Sequence, residues 1–231
     1  SKKNCMGFIS ELKPDVVISC AGALVEYKDE YIYKAEFTQE ETCAFIAKAR
    51  ENHWQALDLS CCGLYDLPDE LWELTELRLL FLGNTHFSES HSENHFPILP
   101  RKIEKLVNLQ ALSLGYMGNN APVVEYSRPL NLPNLRFLEL YDTYYPQLPE
   151  AFAIPSLEGL ATNRLLEFPT FLCSLPNIRE LYLESCSFHK IPARISLLSN
   201  LEHLSLSGSQ IDALPPTFLK LTNLKHLNLR G

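Results

Sequence analysis

The chain is poor in glycine, with 9 in 231 residues, and has only two methionines and two tryptophans. No apolar run reaches the length of a membrane-spanning helix. There is no G-x-x-x-x-G-K-[ST] loop and no kinase glycine loop, so nothing reads as a phosphate cradle. Basic residues are outnumbered 20 to 28, giving a net charge of −8. That balance argues against nucleic acid or an anionic membrane as principal partner. The seven cysteines contain no C-x-x-C pair, and the reading is of a reduced, cytoplasmic protein. Val17-Ile18-Ser19-Cys20 loosely matches a lipoprotein cleavage site, but Glu11, Lys13, Pro14 and Asp15 occupy its apolar stretch and exclude it.

What is present is a recurring apolar frame. Units begin at Trp54, Leu77, Leu109, Leu135, Leu157, Ile178, Leu201 and Leu224, so the successive differences are 23, 32, 26, 22, 21, 23 and 23 residues. The unit from Leu201 runs through Leu204, Leu206, Ser209, Ile211, Leu214 and Pro215. Six of the seven complete units close on an apolar–Pro pair: Leu67-Pro68, Leu99-Pro100, Leu148-Pro149, Phe168-Pro169, Ile191-Pro192 and Leu214-Pro215. Each L-x-L turns its leucines inward and its intervening residues outward. The P-x-x-Φ-x-x-L that follows suits one or two helical turns.

This frame resembles the leucine-rich repeat. The resemblance implies an α/β solenoid over 54–231, with a curved parallel sheet on the concave face and short helices or 3₁₀ turns on the convex face. No unit can bury its leucines alone, so neighbours must stack. The ninth position, usually Asn, carries Cys62, Thr85, Met117, Thr143, Cys186 and Ser209. Short polar or thiol side chains can bond locally there, but Met117 cannot donate, so the third unit is expected to be irregular. Its stretch over 118–133 leaves Ala121-Pro122 or a longer loop open as its closure. Nine extra residues in the second unit are placed between Phe87 and Leu99, and Thr162 stands where the fifth unit needs a leucine.

Upstream, Thr38-Gln39-Glu40-Glu41 is a T-x-x-E capping box opening a helix to about Asn52. This helix (38–53) is expected to cover the open end of the array. Residues 16–20, 23–27 and 31–37 read as strands, the last two as a hairpin. Segment 1–37 is then either part of the cap or a truncated domain. The helix and first unit resemble cytosolic arrays of Roco-type and related bacterial signalling proteins. In that resemblance the array is joined to a GTPase, kinase or other effector, none of it visible here. Bacterial ubiquitin-ligase effectors carry shorter repeats of about twenty residues. No polar capping repeat follows Leu229-Arg230-Gly231, so the natural protein is expected to continue, and a bare strand edge invites self-association.

No catalytic, cofactor or metal residues are assigned. Cys61-Cys62 beside His53 lacks an orienting third group for thiol catalysis. Glu180, His203 and His226 form a column that could be drawn as a zinc site, as could His86, Glu89, His91, Glu93 and His95, but nothing specifies either. The concave face carries outward aromatics that the core does not require, and these suit a protein partner. The expected contact residues are Phe81, Tyr116, Phe137, Glu139, Tyr141, Glu180, Tyr182 and His203. The reading is therefore a non-enzymatic protein-recognition module, probing a partner of unknown identity. The alternative is a regulatory or oligomerising arm of a fused GTPase, kinase or ubiquitin-ligase effector.

Overall fold

The computed structural model describes residues 38–84, 93–117, 121–124 and 128–230, and the backbone of 18–19. Their strands form one nine-stranded sheet in chain order. These are β1 (Ile18–Ser19), β2 (Ala56–Asp58), β3 (Leu79–Phe81), β4 (Ala111–Ser113) and β5 (Phe137–Leu140). The rest are β6 (Gly159–Asn163), β7 (Glu180–Glu184), β8 (His203–Ser205) and β9 (His226–Asn228). All pairings are parallel. Their register aligns Leu57, Leu80, Leu112, Leu138, Leu160, Leu181 and Leu204 in one row, and every member is buried. At about 1.5–3 kcal/mol for each buried leucine, this spine is the main source of cohesion. Thr162 interrupts the neighbouring row between Leu140 and Leu183. It is buried, and its hydroxyl has no partner among the described residues.

After the apolar–Pro pairs come 3₁₀ helices at Asp69–Glu73, Arg101–Lys105, Glu150–Phe152, Thr170–Ser174, Ala193–Leu197 and Pro216–Lys220. Each proline sits just before its helix, where its fixed φ suits the turn and its missing N–H costs nothing. Its carbonyl accepts from the residue three further on, as in Leu71 to Pro68 and Ile195 to Pro192.

Helix α1 (Gln39–Glu51) has both reciprocal capping-box bonds: the Glu41 N–H donates to Thr38 Oγ1, and the Thr38 N–H to Glu41 Oε2. It buries Ile46 and Ala49 in the leucine core. Arg50 pairs with Glu73 and His53 with Glu76, both 23 residues on, which is the repeat offset. β1 pairs with β2, and α1 packs Ile46 and Ala49 onto the core at the amino-terminal side of the first unit. The expected hairpin over 23–37 lies outside the described residues.

One register reading changes, and the closure left open in the third unit is placed. In the second unit the bonds expected of the ninth position are made by Asn94, while Thr85 lies outside the described residues. Asn94 is fully buried, and its side chain accepts from Cys62 N (3.1 Å) and Leu64 N (2.9 Å) while donating to Leu59 O and Leu82 O (2.8 Å each). In the third unit, a bridge pairs Ile98 with Val123. This puts Val124, rather than Ala121-Pro122, in the slot of Leu99, and it packs partly buried against the core.

Candidate partner-binding face

The outward columns follow from the register. Ala56, Leu79, Ala111, Phe137, Gly159, Glu180, His203 and His226 form the first, and Asp58, Phe81, Ser113, Glu139, Ala161, Tyr182, Ser205 and Asn228 the second. Facing outward does not make them all reachable. On β2 to β5, Ala56, Leu79, Ala111 and Phe137 make a second apolar cluster, with Leu79 only 1% and Phe137 4% exposed. Phe81 is half-buried against it. Glu139 is 6% exposed and accepts from Ser113 Oγ at 2.7 Å. Phe137 and Glu139 are therefore on the expected face but covered.

β6 is buried along its length, and the half-open positions are Tyr141 after β5 and the outward residues of β7 with His203 on β8. Tyr141 follows β5, and its hydroxyl donates to Glu184 Oε2 on β7 at 2.9 Å. Ser205 Oγ on β8 donates to the other oxygen of Glu184 at 2.6 Å. Tyr182 donates to Glu180 at 3.0 Å. Burial first, then the bond to Glu184, push the Tyr141 phenol above its ordinary titration range, so it remains a donor. The Tyr116 and Tyr141 rings lie 6.1 Å apart, which groups two expected aromatics. Tyr182, Glu184, His203, Ser205, His226, Asn228 and Arg230 line a shallow depression of about 380 Å³.

His203 and His226 are stacked, with centroids 4.5 Å apart and an interplanar angle of 17°. Imidazole lone pairs lie in the ring plane. Two nearly parallel rings at this separation cannot both reach one zinc ion at its usual distance of about 2.0–2.1 Å. Among the described residues, no group of three or more His, Cys, Asp or Glu is placed to hold a metal. The candidate in 86–95 lies largely outside the described residues. His53 is committed to Glu76, while the Cys62 sulfur bonds the Ser60 carbonyl inside the core.

The backbone just beyond the strands is held the same way in most units. Cys61, Tyr116, Asp142, Arg164, Ser185 and Gly208 all take positive φ, between 50° and 71°. This turn releases the ninth side chain to bind the preceding unit. Thr143 accepts from Met117 N and donates to Leu114 O. Ser209 does the same for Cys186 N and Leu183 O. Asn94 is the amide version of this bond, hidden from the sequence reading by the insertion. A second ladder was also missed. Asn108, Asn134, Asn177, Asn200 and Asn223 each donate to a carbonyl of the previous unit, on Thr75, Val107, Pro155, Pro176 and Ser199. Its signal is plain: each asparagine stands immediately before the first apolar residue of a unit.

A family model described as leucine rich repeat matches residues 176–231. Those residues are leucine-rich repeats. Solved leucine-rich repeat structures share its fold across most of the chain. An internalin from Listeria monocytogenes is 20% identical, with TM-score 0.60, covering 80% of this chain and 50% of its own. Internalin C2 from the same organism is 22% identical, with TM-score 0.58, covering 74% of this chain and 69% of its own. A chain of the Toll–Spätzle complex from Drosophila is 23% identical, with TM-score 0.60, covering 77% of this chain and 23% of its own. The array thus spans about half the length of the first internalin. No curated protein matches it by sequence. At these identities the likeness establishes the leucine-rich repeat fold.

Proposed function

We propose that this leucine-rich repeat array binds a partner protein through the outer face of its sheet, between β5 and β8, as part of a longer protein. The observation that carries this is the half-open set Tyr141, Glu180, Tyr182 and His203, grouped on one face and unnecessary to the leucine spine. Tyr116 extends it along the rim. Phe81 marks its margin, and Phe137 and Glu139 support it from beneath. Aromatics bring contact area at low entropy cost, and carboxylates and imidazoles supply orientation. The Toll chain, solved in complex with Spätzle, offers a precedent for such a scaffold holding a protein. Among the described residues five cysteines are free thiols, four of them buried, which favours a reducing compartment such as the cytoplasm. Burial pushes the Cys186 thiol up to about 11, which keeps it protonated and unreactive.

The test is capture of partners from the native host with Tyr141→Ala combined with Tyr182→Ala. Loss of capture with a melting temperature kept within a few degrees is the expected result. Undiminished capture by the folded variant would remove this face from the account.

A further inference from the structure

We propose that the face between β5 and β8 accepts an extended partner segment carrying two basic side chains, one opposite Glu180 and one opposite Glu184. This rests on the protein-binding reading above and adds the chemistry of what is bound.

Four half-buried carboxylates of the framework are matched by cations. Glu158 is held by Arg136, Asp142 by Arg164, and Glu104 by Arg101 and Arg128. Glu202 is held by Lys225 and Arg179. Glu180 and Glu184 are also half-buried, but their partners are hydroxyls: Tyr182 for the first, Tyr141 and Ser205 for the second. Among the described residues neither has an ion pair. A hydroxyl orients a carboxylate without cancelling its charge. The result is two oriented negative charges on a half-open sheet face.

Their placement sets the geometry of the occupant. Residues 180 and 184 lie on the same side of β7, about 13 Å apart at the rise of a strand. Tyr182 stands between them on that side. A segment with basic residues four apart, in extended form, spans the same distance. Arginine fits best, since its planar fork can meet a carboxylate and its face can lie on a tyrosine ring.

The probe is the peptide acetyl-Gly-Arg-Gly-Ala-Gly-Arg-Gly-amide, titrated at low salt and followed by calorimetry and amide chemical shifts. Its control places the two arginines side by side at the same charge. The spaced peptide should bind roughly threefold or more tighter, with shifts centred on β7 and β8. Glu180→Gln with Glu184→Gln should weaken it about tenfold. Removing two exposed carboxylates elsewhere, Glu150→Gln with Glu167→Gln, should change it less than twofold. Equal losses in both double variants would mean general charge attraction and overturn the proposal. So would no preference for the spaced peptide, or no loss in the Glu180/Glu184 variant. If that variant also kept full capture of protein partners while the tyrosine pair lost it, the cationic chemistry would fall and the binding face would stand. Unchanged melting temperatures exclude unfolding as the cause of a loss.

Discussion

The β2–β5 and β7–β9 halves of the sheet share one register and one leucine spine, yet present different faces. In the first, the outward column is Ala56, Leu79, Ala111 and Phe137, and it is buried. In the second it is Glu180, His203 and His226, and it is half-open or exposed. The internal bonds differ in parallel. The first half relies on a buried amide, Asn94, and on glycine at close approaches. The second places a single hydroxyl, Ser209, where the first has that amide. One repeat scaffold can therefore be tuned along its length for consolidation at one end and for contact at the other.

The largest expected effect is on the amide side of this contrast. Asn94→Ala deprives four buried backbone groups of a partner and should cost about 3–5 kcal/mol, whereas Ser209→Ala should cost about 1 kcal/mol. Urea unfolding of both variants checks it; equal costs would erase the distinction between the halves. Next is the seventh position. A Cβ on Gly83 would sit 2.1 Å from the Gly115 oxygen, while one on Gly115 meets Tyr141 O at 3.2 Å. Gly83→Ala should lose about 2–3 kcal/mol and Gly115→Ala under about 1 kcal/mol, readable as a difference in urea midpoint.

The smallest effect is pH-dependent. Along the second position, Arg78 meets the amides Gln55 and Gln110, whereas Arg136 meets Glu158 through two bonds of 2.8 Å. The Arg136 hydrogen bond, opposed in part by burial, holds the Glu158 carboxyl below its ordinary value of 4.5. A depressed folded value means this stabilisation is present above about pH 4.5 and is lost as pH falls through the folded value. Hydrogen exchange between pH 5 and 3 should loosen β5–β7 before β2–β4, and Arg136→Gln should remove the difference. A uniform response along the sheet would contradict it.

Much of the architecture was legible because leucine spacing is a local signal. Each L-x-L fixes two inward residues, and the Leu-Pro pairs fix where the turns begin. The capping box around Thr38 was equally readable, since both its partners lie within four residues. The placement of Asn94 was not. A nine-residue insertion shifts the frame at an unknown point, and only the bonds to Cys62 and Leu64 show where it lies. Val124 in the third unit was obscured for the same reason. For the outer face of the sheet, sequence named the columns correctly but treated Phe137 and Tyr141 alike. One proves buried and the other half-open, because exposure depends on what lies above the sheet.

Sequence alone settled that the chain stacks in repeats, and which side chains turn toward the spine, because strand alternation and leucine periodicity act over a few residues. Tertiary structure decided which outward residues remain accessible and which carboxylates meet cations. Those outcomes depend on contacts between residues twenty or more positions apart, where the local pattern carries no information.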